Sequence, residues 1–303
     1  MARIADVDIR LLRVFRAVVE AGGFAAAQTV LDTSTSTISL HMTELEKRIG
    51  FTLCHRGRSG FSLTDRGYLV YDHAKRMINS LDDHFDSIIT LRKRLTGKVR
   101  LGTVDSLVSH PQSPLVRALQ KFNKLDNDVE LQLTVGDRSE LERKVLANEL
   151  HAAISPFVRP IAGLDFHRLM VERHKLYCGV SHPLFGRTDV VGKALSTFPF
   201  ILRSHHGRAD EERFMSMNVR ATANNMEAML TLLLTGDYIG LLPDHLAETW
   251  VQKGELWELT APDLAHVSHH SLVVASKLDI STAAATLIPQ ILSEVNLVGM
   301  VKE

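Results

Sequence analysis

The chain has 303 residues, 45% hydrophobic and 23% charged, which is room for two or three domains with real cores and excludes a disordered or fibrous protein. No run of about 18 apolar residues occurs, and the N-terminal MARIADVDIRLLRVF carries charges throughout, so neither a membrane span nor a signal peptide is expected and the protein is placed in the cytoplasm. The formal net charge of zero hides an asymmetry: residues 1–100 hold 16 Lys+Arg against 11 Asp+Glu, and the remainder 19 against 24, which points to an anionic partner for the N-terminal part.

The first predicted element is a helix from Val7 to Gly22 with Leu11, Leu12, Phe15, Val18 and Val19 on its buried face. Arg10, Arg13 and Arg16 step along another face, either as phosphate contacts or as a solvated side. Phe24-Ala25-Ala26-Ala27-Gln28 then opens a short helix, with a turn at Asp32-Thr33. Ser34 is a good N-cap for a further helix whose apolar face is Ile38, Met42, Leu45 and Ile49. Its other face carries Thr35, Ser36, Ser39, His41 and Thr43. Two short helices, a tight turn and a hydroxyl-rich outer face make a helix-turn-helix, or else an ordinary helical hairpin. In the first case Ser34, Thr35, Ser36, Thr37, Ser39 and His41 are the candidate DNA contacts, because hydroxyls there reach phosphates and either base type.

Phe51-Thr52-Leu53 and Phe61-Ser62-Leu63-Thr64 alternate around a Gly-Arg-Ser-Gly turn and predict a β-hairpin with Arg56 and Arg58 at its tip. Directly after a helix-turn-helix, a basic hairpin reads as a wing on the DNA backbone. From about Asp65 to Leu95 a long helix repeats apolar positions Val70, Ala74, Met77, Leu81, Ile88, Leu91 and Leu95 with His84 at spacings of 4-3-4-3-4-3-4, the pattern of a two-helix seam.

Residues 7–95 resemble the DNA-binding domain and linker helix of LysR-type transcriptional regulators. The resemblance rests on Phe24, Ala27, Leu31, Ser34, Ser36, Ile38, Ser39, Leu45, Glu46, Gly50, Leu53, Arg56, Leu63, Thr64 and Gly67 at the family's spacing. Thr35 stands where the family usually has Gln, and Leu40 where it often has Arg, so base readout there is expected to depart from the common pattern. The resemblance implies a homotetramer, built from dimers paired through the linker helix, on two adjacent sites. It also implies an effector that changes the DNA bend.

From Lys98 strands alternate with helices: strands at 99–104, 129–135 and 152–155, helices at Pro114–Asn123 and Ser139–Leu150, the latter with a Ser139–Glu142 capping box. A second α/β unit has strands at 167–170, 175–180, 199–203, 219–223 and 239–243. Its helices begin at about Asp210, Met226 and His245, a strand covers 271–276, and the final helix, Thr282–Val295, is expected to return to the first unit. The fold class is therefore α/β with an N-terminal winged helix-turn-helix, a long linker helix and a two-lobed effector domain. The family resemblance makes that domain periplasmic-binding-protein-like. The expected domains are 1–64, 65–96 and 97–303, with lobe I at about 97–160 plus 268–303 and lobe II at about 161–267.

Ligands in such sheets bind beyond the carboxyl ends of strands, which nominates Asp105, Ser106, Asp137 and Ser155 from the first lobe and Arg203, Ser204 and His205 from the second. Together they favour a small polar or anionic effector, a carboxylate among the candidates. The two aspartates keep an amine-bearing ligand open. His266-x-x-His269-His270 has no diagnostic metal spacing and Cys178 lies alone in an apolar strand, so no metal, redox or other cofactor is expected. Nucleophile-elbow, P-loop, dinucleotide and zinc-protease signatures are missing, so no catalytic residues are assigned. The reading is a ligand-responsive regulator binding an interrupted dyad in double-stranded DNA, self-associating as dimer and tetramer, with no membrane partner. The alternative is an architectural DNA-binding protein whose C-terminal domain only assembles subunits.

Overall fold

A computed structural model describes residues 5–55, 60–90, 94–157, 160–188, 192–204, 214–276 and 280–299. The first three helices, α1 (Asp6–Glu20), α2 (Phe24–Leu31) and α3 (Thr35–Ile49), close over one core in which Leu11, Phe15, Val18, Ala27, Ile38, Met42 and Leu45 are buried. The short side chain of Ala27 lets α2 lie close across its neighbours. Strands β1 (Cys54–His55) and β2 (Ser62–Leu63) form the hairpin, paired Cys54 to Leu63 and His55 to Ser62. The pairing starts later than Phe51 because the Leu53 amide is taken by the Glu46 carboxylate, 2.8 Å away. The hairpin tip with Arg56 and Arg58 lies outside the described residues.

Helix α4 (Asp65–Thr90) begins where Gly67 passes the backbone of Leu53 so closely that a Cβ would run into the Leu53 carbonyl. It is shorter than its heptad pattern: Leu91 lies outside the described residues, and Leu95 opens strand β3 (Leu95–Thr103) instead of closing the seam. Of the remaining seam positions, Ala74 is buried, while Leu81 and Ile88 are exposed with Phe85 beside them. Within β3, Gly97 sits at φ +96° with the Asp86 carboxylate of α4 against it, a geometry that only glycine meets without strain.

The C-terminal domain is built on one curled sheet. Among the described residues it has nine strands, in the order β4 (Asn127–Val135), β3, β5 (Ala152–Ser155), β11 (His266–Ala275), β6 (Leu164–Gly179), β9 (Ile239–Pro243), β7 (Pro199–Arg203), β8 (Asn218–Ala223), with β10 (Leu256–Leu259) also on β6. The β4-β3-β5 end is parallel and packs α5 (Leu115–Phe122), α6 (Arg138–Leu146) and the returning C-terminal α9 (Thr282–Gly299). The β9-β7-β8 end is parallel too and packs α7 (Met226–Leu234), while α8 (Asp244–Gln252) lies against β6, β9 and β10. Between the two ends the antiparallel pair β6–β11 crosses from lobe to lobe. The sequence pattern broke this pair into pieces at 167–170, 175–180 and 271–276. In the structure β6 is continuous, because Glu172 and His174, polar enough to read as a break, are buried with partners on other elements. The α6 N-cap is Asp137, which accepts from Glu140 N at 3.0 Å, rather than Ser139, so the helix starts and ends earlier than expected.

Helix α4 is fastened to lobe I by a buried charge network. Asp83, 2% exposed at its side chain, takes two hydrogen bonds from Arg100 of β3, at 2.8 and 3.2 Å. His151 Nδ1 accepts the Arg100 amide and its Nε2–H donates to Asp83 at 3.1 Å, so the ring is neutral. Burial pushes the Asp83 pKa up, but the His151 and Arg100 hydrogen bonds outweigh it and hold the carboxyl below its ordinary value; burial holds His151 low. The sign is the same for both. The depressed carboxylate stabilises the fold above its unfolded pKa of about 3.9 and loses this as pH falls; a histidine kept neutral costs stability once the unfolded chain binds its proton, below about pH 6.5. Asp83→Ala should leave Arg100 and His151 facing an uncompensated site and lower stability by about 3–5 kcal/mol, read by denaturant unfolding. An unchanged midpoint would show that the network does not hold α4 to lobe I.

Candidate DNA-binding and effector sites

The turn between α2 and α3 is closed by Asp32, left-handed at φ 46°, and by Ser34, whose Oγ accepts from Thr37 N at 3.2 Å. The Ser34 hydroxyl also pairs with those of Ser36 at 2.8 Å and Thr37 at 2.9 Å. Thr35 does not stand free on the outer face as expected: its hydroxyl accepts from the Gln28 side chain and ties α3 to α2. His41 is half-buried, with Nδ1 out of solvent and no hydrogen-bond partner among the described residues. The stripe that faces outward is Ser36, Leu40, Thr43 and Lys47, each exposed, with Leu40 at 70%. Ser39 and Thr37 flank it. Leu40 was visible in the sequence only as a departure from a family pattern; the 4-3-4 spacing from Ser36 was the available signal.

Arg13 and Arg16 are engaged with other side chains, mainly of the linker helix. Arg13 pairs with Asp82 of α4; Arg16 pairs with Glu20 and donates to Asn79 of α4 at 3.1 Å. Of the three α1 arginines Arg10 and Arg13 are exposed and Arg16 is half-buried.

In the C-terminal domain the structure brings Asp105 and Arg203 together across the lobes. Arg203 Nη2 donates to Asp105 Oδ1 at 3.2 Å, and the backbone N–H of Met226, the first residue of α7, donates to Asp105 Oδ2. A carboxylate of lobe I thus occupies a guanidinium and a helix N-terminus of lobe II, as an anion does. Ser106 is not at an α-helix N-terminus: it is left-handed at φ 59°, precedes the three-residue 3-10 turn Leu107–Ser109, and donates its hydroxyl to Asp105 O at 2.7 Å. Asp137 is spent capping α6. Ser155 is fully buried at the end of β5, its hydroxyl without a hydrogen-bond partner among the described residues. Ser204 is exposed and donates its amide to Ala223 O at 2.9 Å, and His205 lies outside the described residues.

Sequence reasoning missed a second inter-lobe cluster. Glu172 of β6, 5% exposed, receives hydrogen bonds from His174 Nε2 at 2.7 Å and His245 Nε2 of α8 at 2.9 Å, and His270 Nε2 of β11 lies 3.3 Å from it. His266 stacks on His174 with centroids 4.4 Å apart, and His110 meets His245 edge-on at 4.7 Å. The His266-His269-His270 motif was the one legible sign. His269 points the other way, to Arg168. No group of three or more His, Cys, Asp or Glu among the described residues is disposed to hold a metal ion. Burial raises the Glu172 pKa, and the hydrogen bonds from His174, His245 and His270 overcome it, holding the carboxyl far below the usual range. Cys178, buried in β6, has its thiol pushed up to about 12 by burial, which leaves it protonated and unreactive.

The helix-turn-helix and the two-lobed sheet carry a family identity. Residues 9–68 match the model of the bacterial regulatory helix-turn-helix protein of the lysR family, and residues 92–296 that of the LysR substrate binding domain. The chain therefore belongs to the LysR family of transcriptional regulators. It is 36% identical to the HTH-type transcriptional activator BauR of Pseudomonas aeruginosa, over 91% of this chain and 92% of that protein. Among solved structures it is similar to CbnR, a LysR family transcriptional regulator, with a TM-score of 0.68 and 20% identity, over 95% of this chain and 99% of that one. Full-length CbnR complexed with its target DNA matches with the same TM-score and identity, over 94% and 99%.

The depressed Glu172 carboxyl contributes stability that is present above its unfolded pKa of about 4.3 and is lost as pH falls toward its own lower value. Glu172→Ala should leave His174 and His245 without their acceptor and His270 without its charged neighbour, and lower the melting temperature by on the order of 10 °C. A fall of only a degree or two would mean that the histidines find other partners.

Proposed function

We propose that the regulator reads an interrupted dyad in double-stranded DNA through the Ser36-Leu40-Thr43 stripe of α3 in the major groove. Ser34, Thr35, Thr37, Ser39 and His41 shape and flank that face, and Arg56 and Arg58 of the wing rest on the backbone. Leu40, an exposed leucine between hydroxyls, suits a thymine methyl. The exposed Leu81, Phe85 and Ile88 on α4 support a dimer seam, with half-sites about one helical turn apart and two dimers in a tetramer. The working division is 1–64, 65–96 and 97–303, the chain acts in the cytoplasm, and it catalyses no reaction.

The effector is a small metabolite with a carboxylate, held between the lobes. The observation that carries this is Asp105 on Arg203 and the α7 N-terminus: lobe II has a carboxylate seat, and an intramolecular carboxylate fills it. An effector carboxylate takes that seat, and the released Asp105 is then free to accept from a hydroxyl or amine elsewhere on the same ligand. The architectural alternative offers no reason for a charge pair reaching across a cleft.

Two measurements test this. Leu40→Ala should leave thermal stability within about 0.5 kcal/mol of the parent, as for an exposed site, but relax base preference by about 1 kcal/mol or more at one position of each half-site, read by binding to a library of operator variants. Uniform weakening over all sequences would take Leu40 off the base edges. In a thermal-shift screen of the full chain, a carboxylate at about 100 times its Kd should add about 2.7 kcal/mol of stability. Arg203→Ala should weaken that ligand by about 1.5–3 kcal/mol while leaving DNA affinity alone. Hits confined to amines and sugars, indifferent to Arg203, would remove the carboxylate seat.

A further inference from the structure

The cluster around Glu172 contains a hydrogen-bond count that ties the charge of one histidine to a bond between the lobes. His245, in the first turn of α8, reaches two groups: its Nε2 lies 2.9 Å from Glu172 Oε1 and its Nδ1 2.9 Å from Ser109 Oγ. Ser109 belongs to lobe I, in the turn that follows the Asp105-Ser106 rim, and its Oγ also lies 2.9 Å from Ser106 O. A carboxylate and a carbonyl only accept, and a serine hydroxyl has one proton to give. With that proton on Ser106 O, both His245 nitrogens must donate, so the ring is an imidazolium. With His245 neutral and its Nε2–H on Glu172, Nδ1 can only accept, and Ser109 must turn its proton away from Ser106 to keep the bond.

We propose that His245 is a proton-operated latch between the lobes: its doubly protonated ring joins buried Glu172 on the crossing strand to Ser109 beneath the effector rim, and proton loss loosens the rim. The surroundings single out this residue. Facing it are Glu172 from β6, Ser109 and His110 from the segment after β3, and Asp244 of its own helix, whose Oδ1 accepts the His245 amide at 2.7 Å. His174 of β6 and His270 of β11 share Glu172 with it. His110 adds no charge: its Nδ1 accepts from Gln112 N at 3.1 Å and its Nε2–H donates to Val171 O at 3.0 Å, which makes it a neutral ring. A buried carboxylate calls for one cation. A proton on His174 or His270 would pair Glu172 within the crossing strands. On His245 it ties lobe II to lobe I, with charge-assisted bonds roughly twice as strong as neutral ones.

The consequence for the effector rests on the cleft reading above, since Ser106 O, the third partner of the latch, sits beside Asp105. The latch itself is testable without any effector. Amide hydrogen exchange of the full-length protein, read by mass spectrometry at about pH 5.5 and about pH 8 and corrected for intrinsic rates, spans the interval in which imidazoles change charge. Residues 106–112 and 243–248 should be roughly tenfold more protected at the lower pH, the ratio expected when a charge-assisted bond replaces a neutral one. His245→Gln keeps an amide donor for Glu172 but cannot titrate, and should give equal protection at both pH values. Ser109→Ala removes only the lobe I hydroxyl and should give the same flat response in a chain that folds. Equal protection at both pH values in the parent protein overturns the latch. So does a pH response that survives in both variants, which would put the proton on another histidine. Loss of protection on adding EDTA would also overturn it, because a metal ion would then be the tie. Effector affinity and its dependence on Arg203 are read separately, so a failed latch leaves the carboxylate seat standing and a failed seat leaves the latch.

Discussion

The antiparallel pairing of β6 with β11 is the constraint on which the C-terminal domain depends. Its register runs from Ala275 opposite Leu164 to His266 opposite His174, with one irregularity at His270/Ser271. One end of this ladder hands the sheet to β5 and the parallel strands of lobe I; the other hands it to β9 and β10 of lobe II. Two strands therefore carry both lobes, and any movement of one lobe against the other must bend them. Glu172 lies within that shared stretch. Burying a carboxylate there is costly unless donors surround it, and the donors come from β6, β11 and α8. Polar chemistry at the hinge is thus tied to the relative position of the lobes, where an apolar core would tolerate small slides.

A second polar chain runs from lobe I toward the DNA-binding domain. Asn79 of α4 donates to Asn148 O at 3.0 Å and accepts from Arg16 of α1 at 3.1 Å, and Lys75 of α4 pairs with Glu149 at 2.7 Å. With Asp83, Arg100 and His151, these contacts fix α4 at the lower end of β3. The upper end of the same strand leads into Asp105. Strand β3 therefore connects the inter-lobe carboxylate at one end with the linker helix at the other. Gly97 of β3 lies directly against Asp86 of α4, where any larger side chain would meet the carboxylate. A shift of Asp105 has a short, hydrogen-bonded route to α1, which packs directly on α3.

Much of this was legible because it is local. The helix-turn-helix follows from a capping serine, a turn and an apolar face at spacings of four, three and four. Strands such as Ala152–Ser155, Pro199–Arg203 and Ile239–Pro243 are runs dominated by apolar residues whose ends match the structure. What the sequence hid depends on partners far along the chain. Glu172 and His174 resemble a loop until His245 and His270 arrive. Thr35 looks outward until Gln28 reaches it. Arg13 and Arg16 look like phosphate ligands until α4 supplies Asp82 and Asn79. In the cleft, Asp105 and Arg203 were nominated separately, each because it follows the carboxyl end of a strand. Their pairing, 98 residues apart, could not be read from either segment.

That pairing and the Glu172 cluster share a logic. Each places a carboxylate of lobe I or of the crossing strands against a nitrogen donor and a helix start of lobe II: Asp105 with Arg203 and α7, Glu172 with His245 in the first turn of α8. Both stabilise the approach of the lobes, and both lie on one short segment, since Asp105, Ser106 and Ser109 are within a single turn of chain. The segment is backbone-strained at Ser106, which holds a left-handed conformation that serine adopts at a cost. A ligand that displaced Asp105 would relieve or deepen this strain while Ser109 remained held by His245. An effector at Asp105 and a proton at His245 would act on the same few residues from two sides, so the free energy that each supplied would be felt by the other, as linkage requires of two ligands that bias one conformational equilibrium.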